Sequence, residues 1–272
     1  MESPNITDIV FGGDLPALDD PTESWFEASK FSRPTVWWDS AGVFLLESAP
    51  WLQEATGRAG KRMDHRPGVA MAEVLELDTR LDVAVSRRRS RDDHDPSAAL
   101  TAREFATLAW AGYGTTSELG PGHSRRTVPS GGALFPLDLY VAVARVDGVP
   151  PGLYHFDPLR RRFALMGDDS LRALADATIQ PETIESASAV FVVAASFWRS
   201  RFKYGQRALR FVLIEAGHAM QNMVLAATSL GLTHRPIGGF YDDEVADVIG
   251  LDGVNEAPLY ILPVGRPIGR TP

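Results

Sequence analysis

Lys203-Tyr204 is the pair of residues in this sequence best suited to moving a proton. Of 27 basic residues only Lys30, Lys61 and Lys203 are lysines, so arginine stands almost wherever a cation will serve. A lysine amine gives up its proton readily on burial, whereas a guanidinium stays charged near neutral pH. Lys203 and Tyr204 open residues 202–232, a stretch that is apolar around nearly its whole circumference. That pattern predicts a buried helix of roughly seven turns. Glu215, His218 and Asn222 fall at i, i+3 and i+7 and so predict one narrow polar stripe along it. A proton-transfer site at the mouth of a buried helix is the chemistry these residues imply.

Two other groupings are suited to holding a ligand. Ser86-Arg87-Arg88-Arg89-Ser90-Arg91 crowds like charges, and a bound anion relieves that repulsion, because guanidinium forks and a hydroxyl match phosphate oxygens. A solvated basic loop, neutralised by Asp92, Asp93 and Asp95, is the plainer alternative. Pro129-Ser130-Gly131-Gly132 and Pro236-Ile237-Gly238-Gly239 each set adjacent glycines where backbone N–H groups can approach a ligand, or where the chain simply turns. His218 alone reads equally as a core or interface histidine. The sequence lacks HExxH, GxGxxG, the P-loop pattern and GxSxG. With no cysteine, thiolate metal sites, disulfides and cysteine nucleophiles are excluded.

A net charge of −8 argues against a nucleic-acid partner. The first residues show neither a basic nor an apolar targeting region. Arg210, Glu215 and His218 interrupt the longest apolar run too often for a membrane span. A cytoplasmic protein is expected.

The elements that must position these residues follow from local pattern. Residues 1–80, rich in Trp, Pro and acidic groups, read as an extension wrapping the main domain, with helical stretches near 24–31 and 42–56. The main domain is expected over 81–272. Thr101 and Glu104 form a capping box, stapled by Leu100 and Phe105, and the helix they start runs to Gly112 or Gly114. Residues 120–123 read as a loop. Strands are expected at 137–146, 153–156, 162–166, 189–196 and 257–264, with helices near 170–178 and 242–250. Clustered strands with helices between them predict an α+β fold, a mainly antiparallel sheet flanked by helices around a long central one.

Taken in order, these pieces resemble the nitroreductase-like flavoproteins, and within them the SagB-type azoline dehydrogenases. The matching stretches are SRRRSR (86–91), RRTVPSGGALFPLDLYV (125–141), GLYHFDP (152–158), KYGQRALRFVLIEAGHAMQN (203–222), PIGGF (236–240) and EAPLYILPVGRP (256–267). One departure is Asp92, where family members often carry a second basic residue. The resemblance implies an FMN-dependent homodimer with flavin at the subunit interface. It assigns Arg88, Arg89 and Ser90 to the FMN phosphate and ribityl chain, and Ser130 and Gly131 to the flavin. Gly238 and Gly239 fall to the N5 edge, Arg266 to a second phosphate contact, and Lys203 with Tyr204 to catalysis. The implied reaction is oxidation of a thiazoline or oxazoline ring in a modified peptide to the azole, with dioxygen reoxidising the flavin. A cyclodehydratase or a carrier protein is the implied partner. An NAD(P)H-dependent nitro- or flavin reductase, or a non-catalytic subunit of a peptide-modifying complex, would share the same fold and phosphate motif.

Overall fold

The structure is a computed structural model that describes residues 21–49, 51–52, 60–120, 123–168 and 170–269. Nine strands occur among these residues: β1 (Gly68–Ala70), β2 (Thr115–Gly120), β3 (His123–Arg126), β4 (Leu137–Val143), β5 (Gly152–Asp157), β6 (Arg162–Gly167), β7 (Ala189–Ser196), β8 (Thr233–His234) and β9 (Glu256–Gly265). Seven of them form an antiparallel sheet in the order β1-β6-β5-β4-β7-β9-β8. β2 and β3 pair separately as a hairpin. The sequence reads only a loop at 120–123, because the hairpin strands are polar and carry no apolar alternation.

Ten helices are described: α1 (Pro21–Ala28), α2 (Val36–Asp39), α3 (Ala41–Ser48), α4 (Leu81–Arg87), α5 (Ala102–Tyr113), α6 (Leu171–Asp176), α7 (Pro181–Ser186), α8 (Trp198–Tyr204), α9 (Ala208–Ser229) and α10 (Asp242–Ile249). Residues 53–56 of the second expected N-terminal helix lie outside the described residues. The sheet is covered on both faces. Leu137, Leu139 and Val141 of β4 enter a core with Phe105 and Leu108 of α5 and Val212 and Met223 of α9. Tyr140 and Ala142 enter a second core with Leu174 of α6, Ile184 of α7 and Val245 of α10. The result is the α+β fold with a long central helix that the pattern predicts. No described helix is long and apolar enough to cross a membrane.

The long helix differs from its sequence reading in two ways. Gly205, at φ 52, ends α8, and a 3₁₀ turn, Gly205–Arg207, precedes α9. Lys203 and Tyr204 therefore close one helix instead of opening the next. α9 is also not buried all round: Leu213 and Ile214 are 44% and 56% exposed, and Gly217, His218 and Gln221 continue the same exposed stripe. Apolar content alone could not say which face the sheet covers.

The capping box forms as its spacing dictates. Glu104 N–H donates to Thr101 Oγ1 at 3.2 Å, while Thr101 N–H donates to Glu104 Oε2 at 2.8 Å. Glu104 also receives Arg266 at 2.8 Å, so one carboxylate fixes both the start of α5 and the end of β9. Thr101→Ala is expected to lower stability by about 1 kcal/mol. Glu104→Ala should cost more, because it also strands a half-buried guanidinium. Urea denaturation of the two variants side by side checks the order.

Candidate active site

The polar ends of Lys203 and Tyr204 converge on Gly132. A Cβ at Gly132 would stand 2.8 Å from Lys203 Nζ and closer still to the Tyr204 hydroxyl, and the residue has φ 67. Both the space and the backbone demand glycine. The Lys203 amine lies 5.3 Å from the centroid of the Tyr204 ring. Burial lowers the Lys203 pKa, with Glu47 pulling the other way, and burial raises that of Tyr204. The arrangement sets an amine moved toward its neutral form beside a phenol that keeps its proton.

The loop below the pair is strained and held. Ala133 and Phe135 join Gly132 at positive φ, 55 and 47, each costing on the order of 1 kcal/mol or more. Ser130 closes the loop, its carbonyl accepting Ala133 N–H at 3.0 Å and its hydroxyl accepting Phe135 N–H at 2.9 Å. Tyr113 OH donates to Glu215 at 2.7 Å while accepting Leu137 N–H at 3.1 Å. The Arg126 guanidinium lies 4.4 Å from the Tyr113 ring and 4.7 Å from the Phe135 ring. Burial pushes the Glu215 carboxyl up to about 7, against the pull of Ser130, Tyr113 and Arg126.

The polar stripe on α9 thus divides. Glu215 is 2% exposed and works inward, Asn222 donates to Thr127 O at 3.1 Å, and His218 faces outward. Sequence reasoning gave no role to Tyr113 or to Arg126, though Arg126 lies in the 125–141 stretch, and only the fold brings them to Glu215.

A second buried carboxylate anchors α8. Arg199, one turn before Lys203, pairs with Asp138 at 2.8 Å, and His155 Nε2 lies 3.2 Å from the other oxygen. Burial alone would raise the Asp138 carboxyl, but Arg199 and His155 hold it well below the usual carboxylate range. Lys61 donates to Tyr140 OH at 2.8 Å and to Glu256 at 2.7 Å, so its amine is engaged in packing the sheet.

The arginine motif lies at the other end of α9. Arg87, Arg89, Arg91, Thr228, Thr233 and His234 line an open cavity of about 580 Å³. Asp93 pairs with Arg91 and Asp92 with Arg235, so Asp92 takes up a cation of the neighbouring turn. Among the described residues Arg87, Arg88 and Arg89 have no carboxylate partner. Arg88 donates to Ser90 Oγ at 3.3 Å, and Arg89 to the carbonyls of Ser86 and Arg88. His234 was not singled out from the sequence. Its Nε2 lies 3.0 Å from Thr228 Oγ1, whose hydroxyl donates to Val224 O. The ring therefore donates from Nε2, and Nδ1 is left as an acceptor with no partner. Burial, with Arg88 and His94, lowers the His234 pKa to about 4.

Gly238 and Gly239 are both exposed; a Cβ at Gly239 would lie 3.0 Å from Ile179, and neither glycine lines the arginine cavity. Arg266 turns its guanidinium to Glu104 and to Ala99 O, the latter at 2.9 Å. One chain therefore separates the expected site residues. Ser130, Gly131, Lys203 and Tyr204 sit at the start of α9, and Arg88, Arg89 and Ser90 at its end. The 22 residues between span about 33 Å.

Glu215 titrates higher in the folded chain than in the unfolded one. Its contribution to stability is therefore complete below its ordinary carboxylate pKa and is lost as pH rises through about 7. Glu215→Gln, which does not ionise, should gain on the wild type by up to about 3 kcal/mol between pH 5 and pH 8. Denaturation of both proteins at the two pH values measures it, and parallel curves would contradict the assignment.

Residues 84–266 match the Nitroreductase family. The chain is 39% identical over 188 residues to the nitroreductase-like protein MJ1384 of Methanocaldococcus jannaschii, covering 69% of this chain and 90% of that one. It is 33% identical over 149 residues to the microcin B17-processing protein McbC of Escherichia coli, covering 52% of this chain and 54% of McbC. The trifolitoxin-processing protein TfxB of Rhizobium leguminosarum is 32% identical over 150 residues, and the chain spans 40% of its length. Among solved structures, the E. coli microcin synthetase McbBCD complex with truncated pro-MccB17 superposes with a TM-score of 0.59 at 25% identity. That match covers 76% of this chain and 78% of the other. By the span of that match and the fold it carries, the chain belongs to the nitroreductase family, and within it resembles proteins that process peptides.

Proposed function

We propose that this chain is an FMN-dependent oxidoreductase that converts a thiazoline or oxazoline ring of a modified peptide to the aromatic azole. The seating of Lys203 and Tyr204 on Gly132 carries the reading, in a chain similar to two peptide-processing proteins. Aromatising an azoline removes a proton alpha to the carbonyl and a hydride from the adjacent carbon. A Lys203 amine shifted toward neutrality by burial takes the proton. Tyr204 keeps its own proton and orients the ring by donating a hydrogen bond. Bound FMN supplies the hydride acceptor, with dioxygen as the final oxidant.

The residues present fit FMN. Among the described residues Arg87, Arg88 and Arg89 lack carboxylate partners and, with Ser90, suit a phosphate. The unpartnered Nδ1 of His234 suits a ribityl hydroxyl. No Cβ crowds Gly238, which leaves room for a ring edge. Arg266 retains N–H groups beyond those bound to Glu104 and Ala99.

The two groups at opposite ends of α9 require a second copy. A two-fold pairing through the exposed stripe of Leu213, Ile214, Gly217 and His218 would set Lys203 of one copy against the arginine cavity of the other. The substrate reaches the chain from an enzyme that closes azolines, so a cyclodehydratase is the natural partner. A second reading, an NAD(P)H-dependent reductase, draws on the 39% identity to MJ1384. It would show as rapid flavin reduction by NADPH without oxidation of a thiazoline peptide.

Lys203→Ala is expected to keep FMN yet lose roughly two to four orders of magnitude in azoline oxidation. Lys203→Arg should rescue little, because guanidinium does not release its proton near neutral pH. Single-turnover flavin reduction by a thiazoline peptide is the measurement. Activity surviving in Lys203→Arg would show that charge alone matters.

Arg89→Ala should weaken FMN binding by roughly 1.5–3 kcal/mol. If each site draws on two copies, mixing Arg89→Ala subunits with Lys203→Ala subunits restores one intact site per mixed dimer. At an FMN concentration too low to load Arg89→Ala sites, activity should then return to about a quarter of wild type at random pairing. Sites contained within single chains would recover nothing on mixing.

A further inference from the structure

The segment ahead of the matched family region grips the very turn that carries Lys203. Gly42 of α3 is buried against α8: a Cβ there would lie 2.6 Å from Lys203 Cα and 2.9 Å from the Phe202 carbonyl carbon. These are backbone atoms, so no side-chain adjustment could relieve the contact. The chain after α1 holds the other side of the turn. Arg210 Nε donates to Ser29 Oγ at 2.8 Å, its terminal nitrogen donates to Phe26 O, and its guanidinium lies 4.0 Å from the Phe26 ring centroid. Arg207 donates to Ser29 O at 3.3 Å and lies over the Phe31 ring. Three independent contacts thus converge on residues 202–210.

We propose that residues 21–48 are a working part of the catalytic site, clamping α8 and the following turn so that Lys203 stays seated on Gly132. The inference rests on Lys203 acting as the base. Gly42, Ser29 and Phe26 position the turn and touch no reacting atom.

Gly42→Val tests the clamp in the full-length, FMN-loaded protein. FMN affinity should be unchanged, because the arginine cavity lies at the far end of α9. Hydrogen-exchange protection of amides 199–207 should fall by about tenfold or more, and azoline oxidation by a similar factor. Protection and rate both within twofold of wild type would overturn the clamp. Ser29→Ala, which removes the acceptor of Arg210 Nε, supplies a second measurement, decisive if Gly42→Val does not fold. Protection of amides 199–207 and azoline oxidation should fall together, by about threefold each. No change in either would overturn the clamp. Lys203→Ala run alongside separates the two readings. If it stays active the base assignment fails, whereas an inactive Lys203→Ala with unaffected Gly42→Val and Ser29→Ala refutes only the clamp.

Discussion

A carboxyl group shut away from water beneath the loop of Ser130 and Gly132 is the constraint on which the candidate site depends. Glu215 must accept hydrogen bonds wherever it is buried, and the fold supplies Tyr113 as the donor, with Ser130 near enough to act on the carboxyl. The hydroxyls of Tyr113 and Ser130 in turn fix what lies around them. Ser130 holds Phe135 in a left-handed conformation, and Tyr113 receives the first backbone N–H of β4. The surface on which Lys203 and Tyr204 rest is therefore an outcome of how one buried carboxyl is solvated.

A second ionic anchor works beside this one. Asp138 leaves β4 one residue after Leu137 and reaches Arg199 on α8. Adjacent residues of a single strand thus support Lys203 and Tyr204 by two routes: through the loop and through the helix. Removing either member of a buried ion pair leaves an uncompensated charge, so α8 has little freedom to drift.

What could be read from the sequence was whatever repeats or caps. The Thr101–Glu104 box, strands β4 to β7 and β9, and the final helix follow from periodicity and turn residues that local sterics enforce. The Lys203-Tyr204 pair stood out through the scarcity of lysine, and it does meet the Ser130–Gly132 motif in space. The rest was illegible for physical reasons. Nothing local tells an apolar helix face covered by a sheet from one left open, so the exposure of Leu213 and Ile214 could not be foreseen. The break at Gly205 hides inside a run that reads as continuous helix. Tyr113, Arg126 and His234 owe their importance to contacts across long stretches of chain, which spacing along the sequence does not encode.

The two ends of α9 differ in kind of charge. At the arginine cavity the basic side chains are guanidiniums, and His234, buried and low in pKa, stays neutral throughout the neutral range. Attraction for an anion there varies with ionic strength, through screening, and hardly with acidity. At the other end Lys203 and Glu215 are both displaced from their ordinary pKa values by burial. With an anionic ligand at the first end and proton transfer at the second, as proposed, a change of acidity would act on the transfer and leave the ligand in place.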